Sequence, residues 1–319
     1  MADAIKPVRG NFRTTHYRPL RSLENAFPPT AEGRFTDHPG LPVTGGAFPR
    51  PPEAPFPLST NYEETMLLKD KKCLIFGVAN NRSIAYGIAS CFKEQGARLA
   101  FSYAGEAIHK RVEPISEELG GEFIFPCDVT SDEDIAAAAA LVKEKWGSVD
   151  VLVHSVAFAN REDLTKRFIE TSRDGFATAL NVSAYSLTAL CHAFEPMLNP
   201  GASVLTMTYY GAQKIITNYN VMGVAKAALE ASVRYLSVDL GAKDVRINAI
   251  SAGPLKTLAS SGISDFKQIF NHIEEHAPLR RNVTTEDVGK AAVFLASDLG
   301  SAVTGEIMFV DCGYNNLGI

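Results

Sequence analysis

Apolar and polar residues follow two alternating patterns from Lys69 to the end of the chain. Short, almost continuous apolar runs are separated by longer stretches in which apolar positions recur every three or four residues. The short runs are typical of strands buried on both faces, and the longer stretches are typical of amphipathic helices. The predicted strands are CLIFGV (73–78), ARLAFSY (97–103), EFIFPCDV (122–129), VDVLVHSVA (149–157), SVLTMT (203–208), VRINAISA (245–252) and EIMFVDC (306–312).

Seven helices are predicted between and after these strands. They are Ile84 to Gln95, Glu106 to Leu119, Ile135 to Trp146, Asp174 to Met197, Tyr219 to Leu240, 265–276 and 285–298. Gly96 ends the first helix, Ser131 with Asp134 is a typical start for the third, and Asn199-Pro200-Gly201 ends the fourth. Strands that alternate with helices predict the α/β class, with a Rossmann-type, doubly wound, seven-stranded parallel sheet in a single domain at residues 66–319.

Residues 1–60 differ from the rest because they hold 11 of the 17 prolines and no sustained periodicity. Proline-rich runs cannot propagate a helix or a central strand. We therefore expect a disordered N-terminal extension that serves as a linker or a partner-binding arm. The first 21 residues carry five basic side chains against Asp3, a faint sign of organelle import. No apolar secretion segment is present, and a cytoplasmic location is expected.

Composition narrows the classes of partner. The chain has 319 residues, with 46% hydrophobic and 21% charged, as in ordinary soluble proteins. Its 31 basic and 36 acidic residues give a net charge of −5, so nucleic acid is not an expected partner. Five scattered cysteines, without a CxxC pair or a Cys/His cluster, predict no metal site and buried thiols in a reducing compartment. No apolar run approaches the roughly 20 residues that a membrane span needs.

The stretch from Thr208 to Lys226 holds the strongest candidate chemistry. Tyr209 and Tyr219 lie ten residues apart, and Lys226 follows seven residues after Tyr219. Seven residues are almost two helical turns, so the phenol of Tyr219 and the ammonium of Lys226 are predicted to project from one face. Such a pair suits proton donation or oxyanion stabilisation at a carbonyl. An amphipathic helix with an incidental tyrosine and lysine is the alternative.

The first strand leads into GVANNRSIAYG (77–87), with Gly77 at the turn and Ser83 before the helix. A helix that begins in a small-residue turn at the carboxyl edge of such a sheet offers free amides to a pyrophosphate, so a dinucleotide site is expected. The GxGxxG fingerprint is absent, because Val78 and Ala79 follow Gly77. A plain turn in which Ser83 caps the helix therefore remains the alternative.

Two neighbouring strand ends refine this expectation. The second strand ends at Tyr103-Ala104-Gly105-Glu106, with no Arg or Lys to bind a 2′-phosphate, which favours NADH over NADPH. Asp128, at the end of the third strand, is a candidate acceptor for the adenine amino group. It is alternatively an acid that begins the next helix.

These residues, taken together, carry a specific resemblance. GVANNRSIAYG (77–87), CDV (127–129), HSVAFA (154–159), YYGAQKIITNYNVMGVAKAALEA (209–231) and NAISAGPLKTLAS (248–260) closely resemble the short-chain dehydrogenase/reductase superfamily, and more narrowly its NADH-dependent enoyl-acyl-carrier-protein reductases. Carbonyl-reducing members carry Tyr-x3-Lys. Here Met222 stands four residues before Lys226 and the tyrosine stands seven before it, which separates an enoyl reductase from a ketoreductase.

The resemblance implies roles for individual residues. Tyr219 would hydrogen-bond the thioester carbonyl, Lys226 would bind the nicotinamide ribose, and Tyr209 would line the acyl pocket and assist at the carbonyl. The implied cofactor-binding residues are Gly77, Ser83, Ile84, Asp128, Val129, Ser155, Ala157, Lys226, Leu255 and Thr257. The implied substrate-binding residues are Ala159, Tyr209, Tyr219, Met222, Ile263 and Phe266, the last two in a mobile loop and helix at about 257–275.

The resemblance implies NADH-dependent reduction of trans-2-enoyl-acyl-carrier-protein thioesters in fatty-acid elongation, by a homotetramer. Carbonyl reduction within the superfamily and non-catalytic dinucleotide sensing are the alternatives. Arg280-Arg281 is a candidate contact for the acidic carrier protein, although a solvated face is the stronger interpretation. His154, inside the fourth strand, is interpreted as a core histidine rather than a base. Residues 1–60 have no counterpart in the typical bacterial enzyme.

Overall fold

The structure, a computed structural model, describes residues 66–257 and 266–318. Its central element is a sheet of seven parallel strands in the order β3-β2-β1-β4-β5-β6-β7. The strands are β1 Lys72–Phe76, β2 Arg98–Tyr103, β3 Phe123–Pro126, β4 Val149–His154, β5 Leu198–Thr208, β6 Arg246–Ala252 and β7 Ile307–Val310. Each predicted strand is present, and the order changes direction between β1 and β4. This confirms the doubly wound Rossmann-type fold.

Helices connect the strands. They are α1 Ile84–Glu94, α2 Glu106–Leu119, α3 Asp132–Lys145, α4 Arg161–Thr165, α5 Arg173–Leu180, α6 Ser186–Phe194, α7 Asn220–Gly241, α8 Phe266–His276 and α9 Thr285–Ala296. The predicted start of α3 is confirmed, because the side chain of Ser131 accepts a hydrogen bond from the Asp134 amide. The short helix α4 was not predicted, because five residues are too few to show a helical period.

The long helix predicted from Asp174 to Met197 is interrupted. A π-helical segment, Asn181–Tyr185, separates α5 from α6, and a 3₁₀ turn, Glu195–Met197, follows α6. Directly after the π-helical segment, Ser186 Oγ donates to the Val182 carbonyl, 2.7 Å away. Such π segments inside helices are frequent near functional sites.

The residues Asn199-Pro200-Gly201, which were predicted to end this helix, lie within β5, which already begins at Leu198. The register between β4 and β5 shifts at this point, from Val149 opposite Leu198 to Val151 opposite Ser203. Gly201 adopts a φ of +80° there. An irregularity of this kind tolerates proline and glycine within a strand, which the sequence pattern could not distinguish from a turn.

The core lies in two apolar layers, one on each face of the sheet. Within β1, Ile75 belongs to the layer that α1, α8 and α9 cover, and Phe76 belongs to the layer that α3, α6 and α7 cover. Alternate residues of a strand point to opposite faces, so a strand buried between two layers is apolar throughout. Because all seven strands are parallel, their carboxyl ends lie along the same edge of the sheet, and the candidate site lies there.

Several predictions fall outside the described residues. These include the disordered extension at 1–60 and the part of the substrate loop at 258–265. Across 66–257 and 266–318, no helix combines the length and apolar character that crossing a membrane requires.

Candidate active site

The turn after β1 brings two strand ends into close contact. Gly77 has a φ of +101°, and a Cβ at this position would lie 2.1 Å from the carbonyl oxygen of Ser155. The Ser155 amide donates to the Phe76 carbonyl over 3.0 Å, which ties the ends of β4 and β1 together. A side chain at position 77 would collide with the Ser155 backbone, so glycine allows the close approach of the β1 and β4 ends at the point where the sheet order reverses.

The helix that follows keeps its amino-terminal groups available. Ser83 lies immediately before α1, but its hydroxyl donates to the Asn80 carbonyl, 2.7 Å away, and does not cap the helix. The first amides of a helix have no partner within the helix, and the macrodipole favours an anion beside them. Ser83 therefore occupies the position before α1 without a side-chain capping bond, and the amides that begin at Ile84 are suited to a phosphate.

The ends of β2 and β3 are polar and open. Ala104 is exposed just after β2, and Lys110, on the next helix, pairs with Glu106 at 3.4 Å. Asp128 is exposed after β3, where one of its oxygens accepts from the Thr130 amide at 2.9 Å and the Thr130 hydroxyl at 2.7 Å. Asp128 thus shapes the turn, while Ser131 caps α3. Val129, next to Asp128, is buried in the core.

Two phenols meet at the end of β5. The rings of Tyr209 and Tyr219 pack edge to face, with 5.0 Å between centroids. Gly211 makes this approach possible, because a Cβ there would lie 2.5 Å from Cδ1 of Tyr219. Within the described residues, neither hydroxyl bonds another protein group.

Asparagines on either side of Tyr219 hold it in place. Asn218 and Asn220 have φ values of +62° and +36°, in the left-handed region that asparagine tolerates better than most residues. The Asn220 side chain donates to the carbonyls of Leu164 and Lys166, at 2.9 and 2.6 Å. These two bonds join the end of α4 to the start of α7, and they explain the strained backbone beside the phenol.

Both phenols are protonated at neutral pH. Burial raises the pKa of Tyr209 to about 12, and it raises the pKa of Tyr219 further above the usual value, with Tyr209 and Glu230 adding to the effect. A phenol that stays protonated donates a hydrogen bond and does not act as a phenolate. The site therefore suits oxyanion stabilisation rather than proton abstraction.

Lys226 lies on α7 with only 5% of its surface exposed. Its Nζ donates to the Met207 carbonyl, 2.8 Å away, and burial lowers the pKa of this lysine to about 8, against an opposing effect of Glu230. The described structure contains no hydrogen bond between Lys226 and Tyr219. Lys226 thus bonds the end of β5, while the ring of Tyr219 packs against Tyr209.

The remaining predicted residues divide into three groups. Ala159, Tyr219 and Met222 belong to one apolar cluster that also includes Leu164 and Leu180. On the expected cofactor side, Ala157 is exposed, Ser155 and Thr257 are half-buried, and Leu255 is buried. Ile263 and the side chain of Phe266 lie outside the described residues. Among those described, no three His, Cys, Asp or Glu side chains gather to hold a metal ion.

A half-buried tyrosine pair and a buried lysine lie at the carboxyl edge of this doubly wound sheet. The family model of enoyl-(acyl carrier protein) reductase matches residues 77–315. The chain belongs to the enoyl-acyl-carrier-protein reductase family. This confirms the family predicted from the sequence, and with it the oxidoreductase class.

Relatives match over most of their own length. Enoyl-acyl-carrier-protein reductase (NADH) 1 of Rhizobium meliloti (strain 1021) is 53% identical over 79% of this chain and 93% of the relative. The NADH enzyme of Rickettsia typhi is 54% identical over 80% and 97%. The crystal structure of the Bacillus cereus reductase with NADP+ and indole naphthyridinone has a TM-score of 0.78 and 50% identity, over 79% of this chain and 99% of that one.

The candidate site includes contacts of two residues that the sequence patterns did not single out. Glu230 accepts a hydrogen bond from Thr208, and Ser183 bonds both the amide and the carbonyl of Phe158, at 2.9 and 3.1 Å. A signal for Glu230 existed, since it lies four residues after Lys226 and thus on the same helix face. Ser183 had none, because its π-helical segment was not predicted.

Hydrogen bonds bear on two further predictions, for His154 and for Arg280-Arg281. His154 is fully buried, with Nδ1 2.8 Å from Thr206 Oγ1 and Nε2 2.8 Å from Ser186 Oγ, which confirms a core histidine. Arg281 bonds both carboxylate oxygens of Asp287, at 2.6 and 3.0 Å. Its charge is therefore already paired, which weakens the case for Arg280-Arg281 as a contact for the carrier protein.

Proposed function

We propose that this protein reduces the trans-2 double bond of enoyl thioesters carried on acyl carrier protein, with NADH as the reductant, in fatty-acid elongation. The observation that carries this proposal, beyond family membership, is the position of Tyr219. This phenol lies immediately before α7, seven residues from Lys226, while Met222 occupies the position four residues before the lysine and is buried in the apolar cluster. The phenol would therefore approach the thioester carbonyl from the β5 side, beside Tyr209.

The residues present fit a dinucleotide. The first amides of α1, which no capping side chain bonds, would face a pyrophosphate with the positive end of the helix dipole. An ammonium has three N–H donors, and Lys226 uses one of them on Met207. The remaining two are available to ribose hydroxyls. Asp128 and Val129 would lie beside the adenine, and Ser155, Ala157, Leu255 and Thr257 beside the ribose and nicotinamide.

NADH, when bound, supplies a hydride to the β-carbon of the enoyl thioester. Negative charge then develops on the thioester oxygen, and the protonated phenol of Tyr219 donates a hydrogen bond to it. A proton that derives from solvent, added at the α-carbon, would complete the saturated thioester. Tyr209, whose ring is in contact with Tyr219, lines the acyl pocket and supports the same oxygen. The ammonium of Lys226 adds positive charge near the developing oxyanion.

An apolar wall completes the site. Ala159 and Met222 pack with Tyr219 and Leu164, which excludes water from the reacting carbons. A dry surrounding strengthens every electrostatic contact to the developing charge. The acyl chain would extend from this wall toward Ile263 and Phe266 in the substrate loop at about 257–275.

The proposal also covers the oligomeric state and the cellular location of the protein. We infer a homotetramer in the cytoplasm, with residues 1–60 as an extension of the reductase domain at 66–319. Sedimentation at micromolar protein concentration tests the assembly, and a monomer would contradict it.

The deciding experiment compares substrates and cofactors in one assay. We expect the purified protein to oxidise NADH with crotonyl or dodecenoyl thioester, and to use NADPH less well. Oxidation of NADH only with a 3-oxoacyl thioester would instead establish the carbonyl-reductase alternative. Binding of NADH without oxidation, on either thioester, would establish a dinucleotide-sensing protein.

A further inference from the structure

Glu230 is a buried carboxylate beside the candidate site. It lies on α7, one turn after Lys226, with 5% of its surface exposed. One carboxylate oxygen accepts from Thr208 Oγ1 at 2.8 Å, and the other accepts from Gln213 Nε2 at 3.3 Å. A buried charge is costly unless hydrogen bonds satisfy it, and both oxygens of Glu230 are satisfied.

These two donors stand at the two ends of one short segment. Thr208 is the last residue of β5, and Gln213 directly follows the 3₁₀ turn Tyr210–Ala212. Tyr209 lies between them, and Gly211 in the same segment contacts the ring of Tyr219. The Glu230 carboxylate thus closes residues 208–213 into a loop whose geometry fixes the edge-to-face pair of phenols.

The same carboxylate is a counter-charge for Lys226. Burial disfavours the ammonium form, and the negative charge of Glu230 opposes this effect and raises the pKa. His154 faces the lysine from β4 but is held neutral, because burial and the charge of Lys226 lower its pKa to about 3. Tyr209 and Tyr219, which face the site from β5 and from the start of α7, are protonated phenols.

We propose that Glu230 is a positioning residue of the reductase, which fixes Tyr209 through Thr208 and Gln213 and keeps the Lys226 ammonium charged for the cofactor. This inference rests on the proposed function. It assigns two tasks to one side chain that touches neither substrate nor cofactor, and the two tasks can be separated by substitution.

Glu230→Gln removes the charge and keeps the side-chain volume and one acceptor oxygen. The affinity for NADH, measured by fluorescence titration from pH 6 to 10, should weaken at high pH as Lys226 loses its proton. In Glu230→Gln this loss of affinity at alkaline pH, called the alkaline limb of the affinity profile, should move to lower pH by about one unit.

Thr208→Val keeps the charge of Glu230 and removes one hydrogen bond of the 208–213 loop. It should leave the alkaline limb in place and lower kcat for the enoyl thioester about fivefold. Glu117→Gln, an exposed acid on α2, is the control and should change neither quantity.

The outcomes are separable. An unchanged alkaline limb in Glu230→Gln would overturn the electrostatic task, and an unchanged kcat in Thr208→Val would overturn the positioning of Tyr209. If Glu230→Gln does not fold, as judged by its near-UV circular dichroism, the Thr208→Val result alone decides the positioning task. A wild-type protein that binds NADH but reduces no enoyl thioester would contradict the proposed function, while a shifted limb in Glu230→Gln would still support the electrostatic task.

Discussion

The ring of Tyr209 stands edge-on to the ring of Tyr219, with 5.0 Å between centroids and 73° between the planes. Aromatic pairs prefer this geometry, because the positive edge of one ring faces the negative face of the other. The pair holds two protonated hydroxyls at the carboxyl end of β5, where a bound thioester would meet them. Replacement by phenylalanine keeps the ring contact at either position, so such variants isolate the contribution of each hydroxyl.

Tyr219→Phe should lower kcat by about 10- to 150-fold, since a hydrogen bond to a charged group contributes roughly 1.5–3 kcal/mol. The dissociation constant of NADH should be unchanged, because the hydroxyl bonds the thioester oxygen in the proposed reaction. Steady-state kinetics with dodecenoyl thioester and a separate titration of NADH measure the two quantities. Wild-type kcat in this variant would remove Tyr219 from the reaction.

Tyr209→Phe is the matched comparison, because it removes a hydroxyl from the partner ring. We expect a smaller fall in kcat than for Tyr219→Phe and a larger rise in KM for long acyl chains, as its proposed place is in the acyl pocket. The reverse order of kcat effects would exchange the roles proposed for the two phenols.

Gly77→Ala should destabilise the protein and abolish NADH binding. The new Cβ would lie 2.1 Å from the Ser155 carbonyl oxygen at a φ of +101°. Backbone strain and overpacking together cost about 2–5 kcal/mol, which lowers Tm by at least about 4 °C in a domain of this size. Thermal unfolding with and without NADH measures both effects.

Gly201→Ala is the control for this substitution. Its φ of +80° carries the same kind of strain, but no atom lies within 4 Å of the added Cβ. We expect a loss of about 1–2 kcal/mol and normal NADH binding. Equal destabilisation by the two substitutions would show that the Ser155 contact is unimportant.

The sequence predicted the strands well, because a strand buried between two helical layers is apolar at every position. Phe76 and Ile75 contact different layers, and no polar residue interrupts the run that holds them. The interruption of the helix at 181–185 was missed, since an apolar period does not report a local change in the backbone hydrogen-bond pattern.

The candidate site was predicted in part, as residues rather than as contacts. Spacing placed Tyr219 and Lys226 on one face, but the bond of Lys226 to Met207 joins a helix to a strand 19 residues away. The Glu230 contacts to Thr208 and Gln213 are of the same kind. Hydrogen bonds between side chains on different helices and strands depend on the tertiary fold. The periodicity of apolar residues within one element therefore cannot identify them.

His154 should make the protein sensitive to acid. Its pKa is about 3 in the folded state against 6.5 for the free side chain. Between these values the unfolded chain binds more protons, so stability is full above pH 6.5 and is lost as pH falls toward 3. At pH 5 the loss is about 2 kcal/mol. Urea unfolding at pH 7 and pH 5 measures it.

His154→Gln removes this titration and retains a donor and an acceptor for Thr206 and Ser186. The difference in stability between pH 7 and pH 5 should shrink by about 2 kcal/mol relative to wild type, whatever the absolute stability of the variant. His192→Gln, at an exposed histidine on α6, should keep the wild-type difference. The same pH dependence in all three proteins would show that carboxylic acids, and not His154, dominate the change in unfolding free energy between pH 7 and pH 5.

Ala104→Arg should shift cofactor preference toward NADPH. Ala104 is exposed just after β2, where a 2′-phosphate would lie, and Lys110 nearby is paired with Glu106. A guanidinium there can bond the phosphate, but its exposure limits the gain to about tenfold in the ratio of kcat/KM for NADPH over NADH. Ala104→Gln adds length without charge and should leave the ratio unchanged. A ratio that stays constant in both variants would place the 2′-position of the cofactor away from the end of β2.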